Sequence, residues 1–298
     1  MRKVLLGCFL LLLINTIDAQ TLVVLGTTQD AGKPQIGCQQ SCCSNLKNRF
    51  YVSSLGVSDT KNKKNYLFDA SPDITTQTNL LSSKTGVSGI AGIFVTHAHI
   101  GHYTGLMYLG KEGLNTVNTS VYAMPRLKKY LTSNGPWSQL VTLNNIDIKL
   151  LRAETPVELG GDLIVIPISV PHRDEFSETV GFKILGAKKS ALFIPDIDKW
   201  NLWQKDIVTE VKSVDYAFID GTFFADGEIN RPIKEVPHPF ISETVSLFNN
   251  EPLAVKQKIY FIHLNHTNPA HIATSPQRIM LEKKGFHFAT VGASFVLN

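Results

Sequence analysis

The chain reads as an α/β (α+β) protein whose sheets are covered by helices, and three observations lead there. Short apolar runs alternate with polar turns along the whole length, with fewer helical patterns interleaved among them. No internal repeat, low-complexity block or long Pro/Ser linker breaks that rhythm, so residues 20–298 read as one domain. Six of the apolar runs end in residues able to hold a metal or carry a proton, the pattern expected when loops at one edge of a rigid scaffold build a site.

In chain order, the runs predict strands at Thr21–Leu25, Phe50–Val57, Asn65–Phe68, Gly92–Val95, Ser120–Ala123 and Ile146–Leu151. Further strands are predicted at Leu163–Val170, Gly181–Leu185, Ser190–Ile194, Tyr216–Ile219, Lys258–Ile262 and Phe288–Val296. Helical patterns fit Asp73–Leu81, Arg126–Ser133, Phe240–Asn249 and Ser275–Lys284. Lys61-Asn62-Lys63-Lys64, the one short basic cluster, sits between two strand-like runs and reads as a solvated hairpin turn.

The first nineteen residues stand apart. Arg2 and Lys3 make a basic start, Val4–Ile14 is almost wholly apolar, and Ala19 is a small residue at a plausible cleavage point. This is the pattern of a secretory signal peptide, too short for a membrane-spanning helix. Leu5-Leu6-Gly7-Cys8 also resembles a lipidation box, but the apolar run continues past Cys8 to Ile14, the wrong place for a mature N-terminus. The expectation is an exported chain starting near Gln20. Loss of Arg2, Lys3 and Asp18 then takes the net charge from +4 to +3. That mild charge, without a dense basic run, gives no case for a nucleic-acid partner, and no later segment is long and apolar enough to span a bilayer. A small-molecule substrate fits better; nothing bears on oligomeric state.

The chemistry concentrates at the ends of strands. Asp69-Ala70-Ser71-Pro72-Asp73 follows Phe68, and Pro171-His172-Arg173-Asp174 follows Val170. Pro195-Asp196-Ile197-Asp198 follows Ile194, Asp220-Gly221-Thr222 follows Ile219, and His263-Leu264-Asn265-His266 follows Ile262. The densest group is His97-Ala98-His99-Ile100-Gly101-His102 after Val95, three of the nine histidines within six residues. Neutral imidazole is a good ligand for zinc and its first-row neighbours, and a hydrolytic site needs several such ligands plus an open position for water. Ligands spaced i and i+2 suit a loop leaving a strand, unlike the i, i+4 pair of a metal-binding helix. Any single aspartate here has a bland explanation as a turn or cap residue. Arg173, Asp174, Glu178 and Lys199 lie close enough to these motifs to touch substrate, although charged loop residues are more often simply solvated.

This order of motifs resembles the metallo-β-lactamase superfamily, over most of residues 21–298. Thr96–His102 is similar to that family's His-x-His-x-Asp-His signature, and His172, Asp196 and His263 fall where its third histidine, bridging aspartate and last histidine belong. The resemblance implies a four-layer αββα sandwich with the metal site along one edge of the two sheets. Two branches look most similar. The pyrroloquinoline quinone biosynthesis protein B branch shares an opening like Leu25-Gly26-Thr27 with a cysteine cluster and an ending like His263–Pro269. The cyclic phosphodiesterases of phosphonate breakdown share a segment like Asp69–Asp73.

By that resemblance, His97, His99 and His172 would hold a first zinc (manganese or iron being alternatives), Asp196 would bridge, and His102 with His263 would hold a second ion. His238, in Val236-Pro237-His238-Pro239-Phe240, matches the position of a proton-donating histidine in the phosphodiesterases; a purely structural role ahead of Pro239 stays open. Gly101 stands where the family has an aspartate ligand, which predicts one tight ion and one weak or absent ion. The quinone branch commonly lacks the first two signature histidines, whereas His97 and His99 are intact. Both branches carry a cysteine trio, which in the phosphodiesterases joins a histidine to hold structural zinc; Cys38, Cys42, Cys43 and His266 match it, with altered spacing. A disulfide from Cys38 to Cys42 or Cys43 remains the rival, because adjacent Cα atoms about 3.8 Å apart disfavour a Cys42–Cys43 bridge. The main functional expectation is an exported metal-dependent hydrolase of a phosphodiester or cyclic phosphate. The alternatives are a role in quinone-cofactor biosynthesis or transport, or a carrier that uses the pocket without turnover.

Overall fold

Two seven-stranded sheets lie face to face with helices on both outer surfaces, and the alternation of buried side chains along the strands explains the stacking. The computed structural model describes residues 20–44, 46, 49–230 and 235–298; the leader expected at residues 1–19 lies outside them. The first sheet is built from β1 (Gln20–Gly26), β2 (Ser54–Asp59), β3 (Lys64–Phe68), β4 (Gly92–Phe94), β5 (Thr119–Ala123), β6 (Ile146–Leu150) and the late strand β14 (Ser294–Val296). Its order is β14-β1-β2-β3-β4-β5-β6. The second is built from β7 (Val157–Gly160), β8 (Leu163–Ser169), β9 (Val180–Leu185), β10 (Ser190–Ile194), β11 (Tyr216–Asp220), β12 (Ile259–Ile262) and β13 (His287–Phe288). Its order is β13-β12-β11-β10-β9-β8-β7.

Along β1, Leu22 and Val24 turn into the layer between the sheets, while Val23 and Leu25 turn outward under helices. Both faces are therefore buried, which is why this strand reads as a continuous apolar run rather than an alternating one. Phe68, Phe94, Phe182, Phe193 and Phe218 fill the middle layer, with Phe68 stacked on Phe94 at 5.2 Å. Truncating such a residue to alanine removes about 3–5 kcal/mol. Helices Ile74–Thr85 and Pro125–Ser133 cover the first sheet through Leu81, Leu127 and Leu131; Ile207–Lys212, Ile241–Leu247 and Pro276–Lys283 cover the second. This is the αββα sandwich in a single domain, as the family resemblance implies.

Strand direction positions the site. β3, β4 and β5 are mutually parallel, as are β10, β11 and β12. β8 runs antiparallel to β9, and β9 antiparallel to β10, so β8 points the same way as β10. Asp69, His97, His172, Asp196, Asp220 and His263 consequently sit at or just beyond the carboxyl ends of co-directional strands, along one edge of the sandwich.

Several elements differ from the sequence reading. Phe288–Val296 is not one strand: Phe288 belongs to β13 in the second sheet, and residues 294–296 pair with β1 in the first. Gly292, at φ +82°, turns the chain between them. The Phe50–Val57 run becomes a strand only from Ser54, while Phe50 and Val52 make single bridges to Lys33 and Thr28. Helix Ile74–Thr85 extends past Leu81 until Gly86, whose αL conformation lets its N–H reach Ser82 O at 2.9 Å. β7 and the short helices Trp137–Thr142 and Ile207–Lys212 were not expected, being too brief to show periodicity. Lys61–Lys64 does form the exposed hairpin turn, tied by Asn62 Nδ2 donating to Asp59 Oδ2 at 2.7 Å.

Candidate metal centre

Asp196 is the hub. Its buried carboxylate lies 3.3 Å from His97 Nε2, 3.6 Å from His102 Nε2 and 3.8 Å from His263 Nε2 through Oδ2. Through Oδ1 it lies 3.3 Å from His172 Nε2 and 3.2 Å from His238 Nδ1. Residues spread over more than 160 positions thus converge because four strand ends meet there, with His238 brought in from the loop before helix Ile241–Leu247.

Each imidazole is aimed by its other nitrogen. Nδ1 of His97 meets Thr96 Oγ1 at 2.9 Å, and Nδ1 of His102 meets Asp69 Oδ2 at 2.7 Å. Nδ1 of His172 meets Asp198 Oδ1 at 3.0 Å, and Nδ1 of His263 meets Thr222 Oγ1 at 2.9 Å. His99 is turned the other way, with Nε2 3.2 Å from Glu175 and Nδ1 2.8 Å from His97 Nε2. Holding one ring nitrogen on a carboxylate or hydroxyl fixes the orientation and leaves the other nitrogen to bind a cation. Asp69 is itself locked, accepting from the Thr96 amide at 2.8 Å. Both Asp69 and His263 sit at positive φ, +69° and +63°, strain that the surrounding hydrogen bonds sustain where the side chains are needed.

The donor set fits a divalent cation. Nε2 of His102, His172 and His263 and Oδ1 of Asp196 are buried without hydrogen-bond partners, an arrangement that costs free energy unless an ion engages them. His97, His99, His172 and Asp196 offer ligand atoms within 4.8 Å of one another. His102 and His263 form a second such group, whose third member is Asp30, from the loop after β1. Sequence reasoning missed Asp30; its sole signal was an acidic residue in a turn following the first strand.

Electrostatics agree with this arrangement. Burial opposes ionisation of Asp196, but His172, His238 and His263 outweigh it and hold the carboxyl well below the usual range. Burial likewise opposes protonation of His172, yet Asp196 and Asp198 push it up to about 10. His97 goes the opposite way, lowered by burial and by His102. Without a cation the cluster therefore keeps protons on some rings, and a bound ion displaces them.

His238 sits at the rim of this group, its Nδ1 2.9 Å from Asp220 Oδ2. It lines a cleft of about 440 Å³ together with Gln29, Arg173, Phe223, Ile229 and Val236. Of the other charged residues near the motifs, Arg173 is exposed in that cleft. Lys199 is committed to Glu243 at 2.7 Å, and Glu178 accepts from the Arg126 amide at 2.9 Å. Asp174 accepts from Thr179 Oγ1 at 3.1 Å.

Cys38, Cys42, Cys43 and His266 also converge within 4.8 Å, away from Asp196. The Cys38–Cys42 and Cys42–Cys43 sulfur separations are both 3.9 Å, and all three thiols are free. Four ligands about 2.3 Å from one ion would place sulfurs about 3.8 Å apart in a tetrahedron, so the spacing suits zinc. A short helical turn, Ser41–Ser44, brings the adjacent Cys42 and Cys43 to the same point.

The sandwich and the site define a class, and comparison with known proteins agrees: the beta-lactamase superfamily domain profile matches residues 64–264, so the chain belongs to that superfamily. Within it the chain is similar, almost end to end, to proteins called coenzyme PQQ synthesis protein B. It is 27% identical to that of Methylorubrum populi and 26% identical to that of Ruegeria pomeroyi, covering 93% of this chain and 99% of each relative. Among solved structures, Zn(2+)-bound PqqB from Methylobacterium extorquens superposes with a TM-score of 0.75 at 22% identity, covering 92% of this chain and 99% of that one. A diphosphatase from the PhnP family superposes with a TM-score of 0.63 at 22% identity, covering 93% and 96%. These structural likenesses show the fold, and the chain's own convergent histidines and aspartates are suited to a divalent metal. Among the described residues, no helix is long and apolar enough to cross a membrane.

Proposed function

We propose that this protein is a metal-dependent enzyme with a role like that of coenzyme PQQ synthesis protein B, acting on a small anionic substrate at the Asp196 centre. One observation carries the enzymatic part: a complete three-imidazole set, His97, His99 and His172, converging with Asp196. The cofactor-biosynthesis role is supported by similarity over nearly the full length of both chains, which makes it better supported than the phosphodiesterase expectation. A divalent ion held by His97, His99 and His172 would polarise a substrate oxygen and lower the pKa of a water toward neutrality. The protein's own contribution is position. Thr96, Asp198 and Glu175 orient the three rings, and Arg173 offers a cation at the mouth of the cleft. His238, steadied by Asp220, faces that cleft as a proton donor for a leaving oxygen.

A second reading, hydrolysis of a phosphodiester or cyclic phosphate, is favoured by His238 beside Asp196 and by the exposed Arg173. Cys38, Cys42, Cys43 and His266 would take a structural zinc, tying the N-terminal loop to the loop that carries His263. The test pairs metal analysis with two assays: restoration of coenzyme PQQ synthesis in a bacterium lacking its synthesis protein B, and turnover of bis(p-nitrophenyl) phosphate. Restoration supports the biosynthetic role; phosphodiester turnover without restoration supports the second reading. A metal-loaded protein inactive in both would overturn both readings. Export is a separate proposal resting on residues 1–19, and the intact mass of protein from its native host decides it. Full-length protein in the cytoplasm would count against export and agree with biosynthesis.

A further inference from the structure

Gly101 leaves the second ligand group one carboxylate short in the signature motif, and the structure supplies a carboxylate from elsewhere. We infer that Asp30 is the missing ligand, so that the second ion is held by Asp30, His102, His263 and Asp196. This rests on the metal reading of the Asp196 centre.

The geometry carries it in three ways. Asp30 Oδ1 lies 3.3 Å from His102 Nε2, and Asp30, His102 and His263 present ligand atoms within 4.8 Å of one another. Asp30 Oδ1 is buried without a hydrogen-bond partner, as are the facing Nε2 atoms of His102 and His263. An orphaned carboxylate oxygen opposite two orphaned imidazole nitrogens is costly in a metal-free protein and satisfied by a cation. Lastly, Asp30 occupies the space that a side chain at position 101 would need. A Cβ on Gly101 would fall against Asp30 Oδ1 and 2.6 Å from Asp30 Cα. Glycine at 101 and aspartate at 30 are thus two halves of one arrangement.

The backbone fixes Asp30 there. Gly32 N donates to Gln29 O at 2.8 Å, closing a turn over Asp30 and Ala31, and Gly32 takes φ +69°. The turn is pinned to the ligand loop of the second sheet, with Gln29 N donating to Leu264 O at 3.0 Å and Leu264 N to Thr27 O at 2.8 Å. Asp30 is therefore held by the same segment that presents His263, across the gap between the two sheets.

The test counts ions in the full chain, by equilibrium dialysis against zinc followed by elemental analysis, for wild type, Asp30→Asn and Gly101→Asp. The cysteine group contributes equally to all three. Wild type is expected to hold one ion more than Asp30→Asn. The second ion in Asp30→Asn should bind more weakly by at least the roughly 10–100-fold that loss of an outer partner costs. Gly101→Asp should gain nothing, because its side chain collides with Asp30. Asp30 is isosteric with Asn, so the turn survives, and melting curves confirm it. Equal stoichiometry and affinity in wild type and Asp30→Asn overturns the assignment, as does a Gly101→Asp variant that keeps or gains the second ion at full affinity. Wild type without any ion at either group overturns the metal reading itself.

Discussion

The two ligand groups flanking Asp196 are built from similar atoms by opposite routes. His97 and His99 come from a single loop after β4, and only His172 and Asp196 must be brought in by the fold. On the other side, Asp30, His102 and His263 come from three separate segments after β1, β4 and β12, with no two adjacent in sequence. Both groups draw on both sheets, but a pair of ligands two residues apart keeps its spacing through local rearrangement. A group with no such pair depends entirely on the packing of the whole sandwich. The first group should therefore behave as a robust centre and the second as one tuned by distant contacts.

That contrast can be broken most forcefully at the first group. His97→Ala or His172→Ala should remove its ion and reduce turnover to background, while the fold melts cooperatively as before; unchanged metal content in both variants would sink the assignment. Next comes His238→Gln, which removes a proton donor but no ligand. Turnover should fall about 10²–10⁴-fold with metal content intact, and equal loss of metal would show that His238 acts as a ligand instead.

A subtler intervention separates the two groups. Gly101→Ala adds one methyl group, yet it should displace Asp30 and strip the second ion while the first stays bound. Parallel loss of both ions would mean that the groups are not independent. Cys43→Ser probes the anchor of the same N-terminal loop. Loss of one zinc and a lower melting temperature are expected, and a disulfide would instead show as a thiol count below three in the native wild-type protein.

The smallest effect concerns acid stability. Burial, then Lys33, lowers His271 to about 3, while Nε2 donates to the carbonyl of Asn265 at 3.0 Å. The unfolded chain takes up a proton below its ordinary value near 6.5, but the folded one does not. Stability from this group is thus complete above that pH and declines as pH falls toward 3, by at most about 1.4 kcal/mol per pH unit. His271→Gln should flatten that part of the denaturation midpoint-versus-pH curve; an unchanged slope would assign the acid sensitivity to other histidines.

Much of this was legible beforehand. The alternation of apolar runs and polar turns predicts nearly every strand, because strands buried on both faces must be apolar throughout. The strand-end positions of His97, His172, Asp196 and His263 announce a site because co-directional strands end at one edge. Asp69 and Asp220, which look like ligands in the sequence, instead orient His102 and His238. Phe288–Val296 looks like one strand because nothing local shows that its two ends join different sheets.

By itself, then, the sequence determined the layered α/β architecture, the local His97/His99/His102 cluster and the turn chemistry between strands, all properties of neighbouring residues. Only the tertiary structure decided which carboxylates face the ions. Asp30 is 71 positions from Gly101, and its match to that glycine exists only once β1, β4 and β12 are packed. Periodicity and spacing report on contacts along the chain; a space left by one residue and filled by a distant one is a property of packing alone.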